Sequence, residues 1–458
     1  MEDQKKTQLF EQTPIPRAVM SMSIPTIISS LVMVIYNLAD TYFVGMLNDP
    51  VQNAAVTLAA PVLLAFYAVN NLFGVGSSSM MSRALGRKEY DTVRKSSALG
   101  FFCALLCGVL LAAAVTVFMQ PLLGLLGADA ENAAATADYM IWTVSCGAVP
   151  AIINVVLAFL VRAEGATLHA SIGTMSGCLL NIVLDPIFIL PSGLGMGAAG
   201  AGLATFISNC VACIYFFILI FVRRNRTLIC LNPKILKGSR TIIGGICAVG
   251  IPSAIQNLLN VVGMTVLNNF TAVYGSDAVA AMGITQKINM VPMYVAMGIS
   301  QGIMPLISYN YGSGNANRLK KTVMFSAKVS ITFMVIVAVI YYIFAGFFIE
   351  LFMKNEVIIA YGTRFLRGLC LAIPLLCMDF LAVGVFQACG LGREALIFAI
   401  LRKVVLEIPA LYIWNHFIPL YGLAYAQPTA ELVLAAAAVA VLMKLLKNLE
   451  MQGESDKS

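Results

Sequence analysis

The sequence predicts an all-α, polytopic membrane protein of about twelve transmembrane helices in two six-helix lobes related by pseudo-two-fold symmetry. Three observations predict it. Of the 458 residues, 60% are hydrophobic and only 11% charged, with a mean hydropathy of +0.87, whereas a soluble domain carries roughly 25% charged residues. Apolar runs of about 20 residues or more, long enough to cross a hydrocarbon core, fill nearly the whole chain. The landmarks of the first half then return, in order, in the second.

Spans are expected at residues 18–44, 56–81, 97–118, 138–161, 168–190 and 199–222, and again at 242–270, 278–307, 323–348, 361–386, 396–414 and 418–445. Met1 to Arg17 is charged and polar, and no small-residue cleavage site follows the first apolar run. That run therefore reads as a retained span and not as a signal peptide. Lys and Arg fall in alternate connections: Lys5, Lys6 and Arg17; Arg83, Arg87, Lys88, Arg94 and Lys95; Arg162; Arg223, Arg224, Arg226, Lys234, Lys237 and Arg240; Arg318, Lys320 and Lys321; Arg393; Lys447 and Lys457. The other connections carry Asp49, Asp129, Glu131, Asp277, Glu350 and Glu356, with Lys354 as their single base. Basic loops stay on the cytoplasmic side, which places both termini inside. The same placement explains the net charge of +7 as topology anchors beside anionic membrane lipids, so no nucleic-acid partner is expected.

Ile24-Pro25 recurs as Ile251-Pro252, Gly76 as Gly302, Gly86 as Gly312, Arg94-Lys95 as Lys320-Lys321, and Pro150 as Pro374, at separations between 224 and 227 residues. Each repeat holds an even number of spans, so the halves start on the same side and are related by an axis along the membrane normal. The expected organisation is a cytoplasmic tail at 1–16, an N-lobe at 17–222, a cytoplasmic linker at 223–240, a C-lobe at 241–446 and a cytoplasmic tail at 447–458. Such duplicated lobes commonly bind substrate at their interface and alternate access by rocking. The chain is expected to be a monomeric transporter, not an enzyme, and to use no cofactor.

Other motifs carry less. Most of the eleven cysteines lie inside apolar runs and behave as small hydrophobes. Cys210 and Cys213 form a lone C-x-x-C within a span, and neither His169 nor His416 has a partner at ligand spacing, so no metal beyond a sodium ion is expected. Gly195-Met-Gly-Ala-Ala-Gly200 fits G-x-G-x-x-G but lacks a surrounding βαβ unit. Gly173 and Gly177 have the spacing of a helix-packing face.

The chemistry gathers in the fifth span. Asp185 lies inside the apolar run 171–190, where a carboxylate costs about 2.5–3.5 kcal/mol to insert. Asn181 is one turn earlier on the same face, and Pro186 leaves a backbone carbonyl one turn back without its donor. This reads either as an ion pocket or as a kinked helix whose Asp bonds a neighbour. Asn37, Asp40 and Thr41 likewise share a face in the first span. Two facing carboxylates cannot both be comfortably ionised without a cation, so either one takes a proton or both ligate sodium. Oxygen ligands suit a hard cation, and both H⁺ and Na⁺ meet that description. In the second half, the repeat sets Leu267 or Asn268 opposite Asp40. Asp379, Glu407, Glu431 and Lys287 lie there in apolar runs, as ion pairs or as further coupling groups. Flexible Met282, Met290, Met293, Met297 and Met304 suit either packing or a surface that accepts many shapes. Tyr36, Phe66, Tyr139 and Tyr294 are of the type that stacks on organic cations.

Several fragments, in this order and spacing, resemble the multidrug and toxic compound extrusion (MATE) transporters over 16–445. They are Ile24-Pro25, Asn37-Leu-Ala-Asp40, Gly76 to Gly86, Arg162-Ala-Glu-Gly165, Asn181-Ile-Val-Leu-Asp-Pro186 and Gln387-Ala-Cys-Gly390-Leu-Gly-Arg393. The likeness is greatest to the bacterial branch that keeps its acids in the N-terminal lobe. It implies H⁺- or Na⁺-coupled export of bulky, often cationic drugs or toxic organic compounds from the bacterial cytoplasmic membrane. The implied coupling residues are Asp40, Asn154, Asn181, Asp185 and Thr205. The first helix is expected to repack at Pro25, with Pro186 as a second hinge. A tenth-helix acid in some relatives matches Asp379, but its seventh-helix partner is Gln256 here. The alternative within the wider superfamily is a flippase for a lipid-linked saccharide.

Overall fold

The computed structural model describes residues 8–236 and 240–455. Lys5, Lys6, Lys237 and Lys457 of the topology argument lie outside the described residues. Within them the chain is helical and has no strand. The first six spanning elements are α1 (Ile15–Gly45), α2 (Pro50–Gly86), α3 (Tyr90–Val117), α4 (Ala133–Ala163), α5 (Thr167–Ile189) and α6 (Ala198–Val222). The second six are α7 (Arg240–Ala272), α8 (Ser276–Gly312), α9 (Ala316–Ile343) and α10 (Glu356–Cys389), then α11 (Gly392–Phe417) and α12 (Leu423–Ser455). Ten of them are long and apolar enough to cross a membrane, and α4, bent by 47° at Gly147, makes an eleventh. The remaining one, α11, changes to π-helix over Leu401–Glu407 and there carries Arg402, Lys403 and Glu407, three charges inside an otherwise apolar span.

Helix ends follow local chemistry. Asp49 accepts a hydrogen bond from Val51 N (2.9 Å) at the start of α2, and Asn355 accepts from Val357 N and Ile358 N at the start of α10, each satisfying otherwise orphaned N–H groups. Gly165 and Gly390, one repeat apart, take φ of +84° and +81° just beyond α4 and α10, the left-handed conformation that glycine adopts without strain. The G-x-G-x-x-G segment folds back on α5. Leu194 N and Met196 N donate to the Ile187 and Phe188 carbonyls (2.8 and 2.9 Å), and a Cβ on Gly200 would lie 2.4 Å from Phe188 O. It is a helix cap, not a nucleotide loop. Gly173 and Gly177 let Phe216 and Ser208 of α6 approach α5, as small-residue spacing predicts. Cys213 Sγ donates to Pro150 O (3.2 Å). α12 stays helical through Ser455, past the expected end at 445, and Lys320 holds Glu450 there at 2.9 Å.

The contacts divide the chain into two compact units, one built from Ile28–Ala254 and the other from Leu9–Ile27 together with the chain from Ile255 onward. These do not follow the duplicated halves at their edges. α1 changes unit two residues after Pro25, and α7 changes unit two residues after Pro252. The repeated glycines explain how each exchanged half-helix docks. A Cβ on Gly76 would lie 2.4 Å from Ile246 O, and one on Gly250 would lie 2.0 Å from Leu72 O. In the other unit, a Cβ on Gly302 would lie 2.8 Å from Ser23 Cα. Backbone-to-backbone approach this close excludes any side chain. The linker is tied to its own unit as well, with Thr227 Oγ1 and Leu228 N donating to the buried Glu164 carboxylate and Cys230 N donating to Ser97 Oγ (3.0 Å).

Gly76→Val and Gly250→Val are each expected to destabilise the protein by about 1–3 kcal/mol through overpacking, read as a lower midpoint of thermal unfolding in detergent. Gly283 has nothing within 4 Å of its would-be Cβ, so Gly283→Ala should raise the midpoint slightly through better helix propensity. Equal effects of the three would refute the docking account.

Candidate functional site

In the unit formed by Ile28–Ala254, α5 brings Asn181 and Asp185 into the interior at 2% and 0% exposure. The i, i+4 spacing sets the amide against the carboxylate. With its nitrogen turned toward the acid, Asn181 donates to Asp185 Oδ2 and Oδ1 at 2.9 and 3.2 Å while its oxygen accepts from Thr205 Oγ1 at 3.2 Å. Thr205, on α6, also faces Tyr36 of α1. One turn on from Tyr36, Asp40 lies within electrostatic reach of Asp185 and of Tyr139 from α4. Its Oδ1 is enclosed and accepts no hydrogen bond. The neighbours that share its helical face turn elsewhere: Asn37 Nδ2 donates to Met33 O and Thr41 Oγ1 to Asn37 O, each at 2.9 Å.

Four elements thus assemble two carboxylates among neutral dipoles. Asp40, Asn181, Asp185 and Thr205 come together. Asn154 of α4 directs its amide to Pro150 O (2.7 Å) and to Asn209 Oδ1 of α6 (3.0 Å). Asn209 is absent from the sequence reading, where nothing but its polarity inside a span marks it. Pro186 sits within a continuous α5 and has no N–H to offer the carbonyl one turn back. Among the described residues neither acid forms an ion pair with a basic side chain, so the two suit a mobile cation or a proton.

The other unit solves the same problem differently. Arg402 of α11 lies between two acids, its Nε 2.7 Å from Glu431 Oε1 of α12 and its Nη1 3.2 Å from Asp379 Oδ2 of α10, with its guanidinium 5.2 Å over the Phe380 ring. Lys403 Nζ lies 2.6 Å from Glu407. The acids expected to meet Lys287 meet Arg402 and Lys403 instead, and Lys287 is exposed on α8. Two consecutive bases in one apolar span were the signal in the sequence. Gln256 Oε1 accepts from Gln387 Nε2 at 3.3 Å. Met290, Met293 and Met297 are half-buried along one side of α8, whereas Met282 and Met304 are buried in the core.

Comparison with known proteins agrees with the duplicated helical fold. A family model described as MatE matches residues 25–187 and 252–413, one segment in each sequence repeat. The multidrug export protein MepA of Staphylococcus aureus (strain MRSA252) is 33% identical over 439 residues, covering 95% of each chain. MepA of Staphylococcus haemolyticus (strain JCSC1435) is 34% identical over 449 residues, covering 97% of each. A solved structure described as the outward-facing conformation of a multidrug resistance MATE family transporter of the MOP superfamily superposes with a TM-score of 0.92 at 27% identity, over 98% of this chain and 99% of that one.

Arg402→Met is expected to destabilise the protein by about 3–5 kcal/mol, because it strands buried acids, whereas Lys287→Met should change stability by no more than about 0.5 kcal/mol. Urea or thermal unfolding in detergent measures both.

Proposed function

Because the chain belongs to the MatE family of membrane transporters, we propose that it is a multidrug exporter of the bacterial cytoplasmic membrane working by cation-coupled antiport. The observation that carries this reading is the fully buried Asp185, bonded by Asn181, which Thr205 holds in turn, and within reach of Asp40. A proton or a sodium ion entering between the acids removes their mutual repulsion. Its arrival draws α1, which bears Asp40 and Tyr36, toward α5 and α6, and the bend is taken up near Pro25, where α1 changes unit. A helix that moves on cation binding offers the drug a different surface, which lowers its affinity and releases it. Asn154 completes the set through Asn209.

The substrates are small, bulky drugs or toxic organic cations, a reading supported by relatives that are named multidrug export proteins. Tyr36, Met290, Met293 and Met297 contribute adaptable contacts. Asp379 and Glu407 take a structural part through their ion pairs, with Gln256 beside them. Both termini are cytoplasmic, following the basic connections, and the exporter acts as a monomer. A membrane potential contributes about 2.3 kcal/mol per charge per 100 mV to such a cycle.

In cells expressing matched amounts of protein, wild type should export ethidium, and Asp40→Asn and Asp185→Asn should each fall to the level of cells without the transporter. Collapsing the proton gradient and the sodium gradient separately identifies the ion. Wild-type activity in both variants would overturn the site, and no ethidium export by wild type would overturn the drug-export reading in favour of a flippase.

A further inference from the structure

Basic residues are concentrated at one end of the spans, and the opposite connections hold Lys354 alone. Two arginines break that pattern. Arg364 and Arg367 are three residues apart on the first part of α10 (Glu356–Leu369), hence neighbours on one face, and both are exposed. α9 begins beside Arg318, Lys320 and Lys321 and ends at Ile343, so its last turn lies at the end of the unit away from those bases. Arg367 Nε donates to Tyr342 O in that turn (3.1 Å), which fixes the guanidinium at the level where α9 leaves the membrane.

Neither guanidinium is free to wander. Arg367 lies over the Tyr342 ring at 5.4 Å, and Arg364 over the Tyr421 ring at 4.6 Å, in the connection before α12. These cation–π contacts orient the forks without neutralising them. Among the described ion pairs, neither arginine has a carboxylate partner. The pair stands in a stripe that continues as Val357 on one side and Leu371 on the other, 46% and 50% exposed. Tyr342, Phe344, Phe347 and Phe352 are exposed around the same end, as befits a membrane–water boundary. Two unpaired, planar forks between an apolar stripe and an aromatic belt match a phosphodiester on an acyl chain.

We propose that Arg364 and Arg367 form a phosphate-binding site for an anionic glycerophospholipid in the leaflet opposite the basic connections. The headgroup phosphate lies across the two guanidinium groups, the acyl chains follow Leu371 toward the hydrocarbon, and the tyrosines brace the forks. The site belongs to the unit that does not contain Asp40 and Asp185 and does not depend on the coupling ion.

The test uses the full chain in nanodiscs containing photoactivatable phosphatidylglycerol, with labelled peptides mapped by mass spectrometry. Labelling of the region 342–371 is expected in wild type and should fall about fivefold in Arg364→Gln and about 25-fold in Arg364→Gln/Arg367→Gln, from the typical strength of one basic side chain at an anionic surface. Labelling near Arg318, Lys320 and Lys321 should not change. The unfolding midpoint in phosphatidylcholine nanodiscs reports whether each variant is folded, and the single variant serves if the double one is not. Undiminished labelling of 342–371 in a folded variant overturns the proposal, as does equal labelling by photoactivatable phosphatidylcholine. Protection by inorganic phosphate at millimolar concentration would assign the arginines to a soluble anion and overturn the lipid as occupant.

Discussion

A charge without a partner in hydrocarbon is the constraint on which this structure depends, at a cost of a few kcal/mol by the mildest scale. The two units meet it with opposite chemistry. Around Asp40 and Asp185 the surroundings are an amide, a threonine hydroxyl and tyrosine rings, dipoles that orient a carboxylate without cancelling it. Around Asp379, Glu407 and Glu431 stand Arg402 and Lys403, fixed to the backbone of α11. A tethered cation cannot leave, whereas a vacancy among dipoles can be filled and emptied. Under the proposed antiport, the first set is the one that can couple and the second the one that braces, a difference that follows from the residue types in each half.

The same contrast governs the helices. α11 accommodates its bases by widening to a π-helix over Leu401–Glu407, a local rearrangement that turns side chains to new partners and is frequent where a helix carries function. α5 keeps regular geometry through Pro186, and its disturbance is limited to the carbonyl that proline cannot serve. Close packing then confines motion. Where α7 passes Gly76 and Leu72, and where α1 passes Gly302, the backbones approach too closely to admit a side chain.

Much of this was legible in the sequence. The apolar runs, the alternating basic connections and the repeat at 224–227 residues follow from the bilayer and from duplication, and they needed no coordinates. Asn181 and Asp185 were readable because i, i+4 spacing is a property of any helix. Contacts between helices were not, since they depend on rotation about each axis. That is why spacing alone does not reveal the bond between Asn154 and Asn209, or that Arg402 and Lys403 rather than Lys287 meet the second-half acids. The exchange of half-helices is not legible in the sequence either. Pro25 and Pro252 marked where helices weaken, but nothing local states which neighbours a segment packs against beyond them.

That exchange bears on how the chain is made. Residues 240–254 complete the first unit, so when the ribosome has delivered the sixth helix and the linker, a groove along Leu72 and Gly76 still waits for its occupant. The segment 9–27 is emitted first, yet its seat at Gly302 is synthesised almost 300 residues later. The insertion machinery or the surrounding lipid must shelter α1 through that interval. Neither sequence half is a self-sufficient folding module, and a fragment cut at the linker would lack part of its own wall.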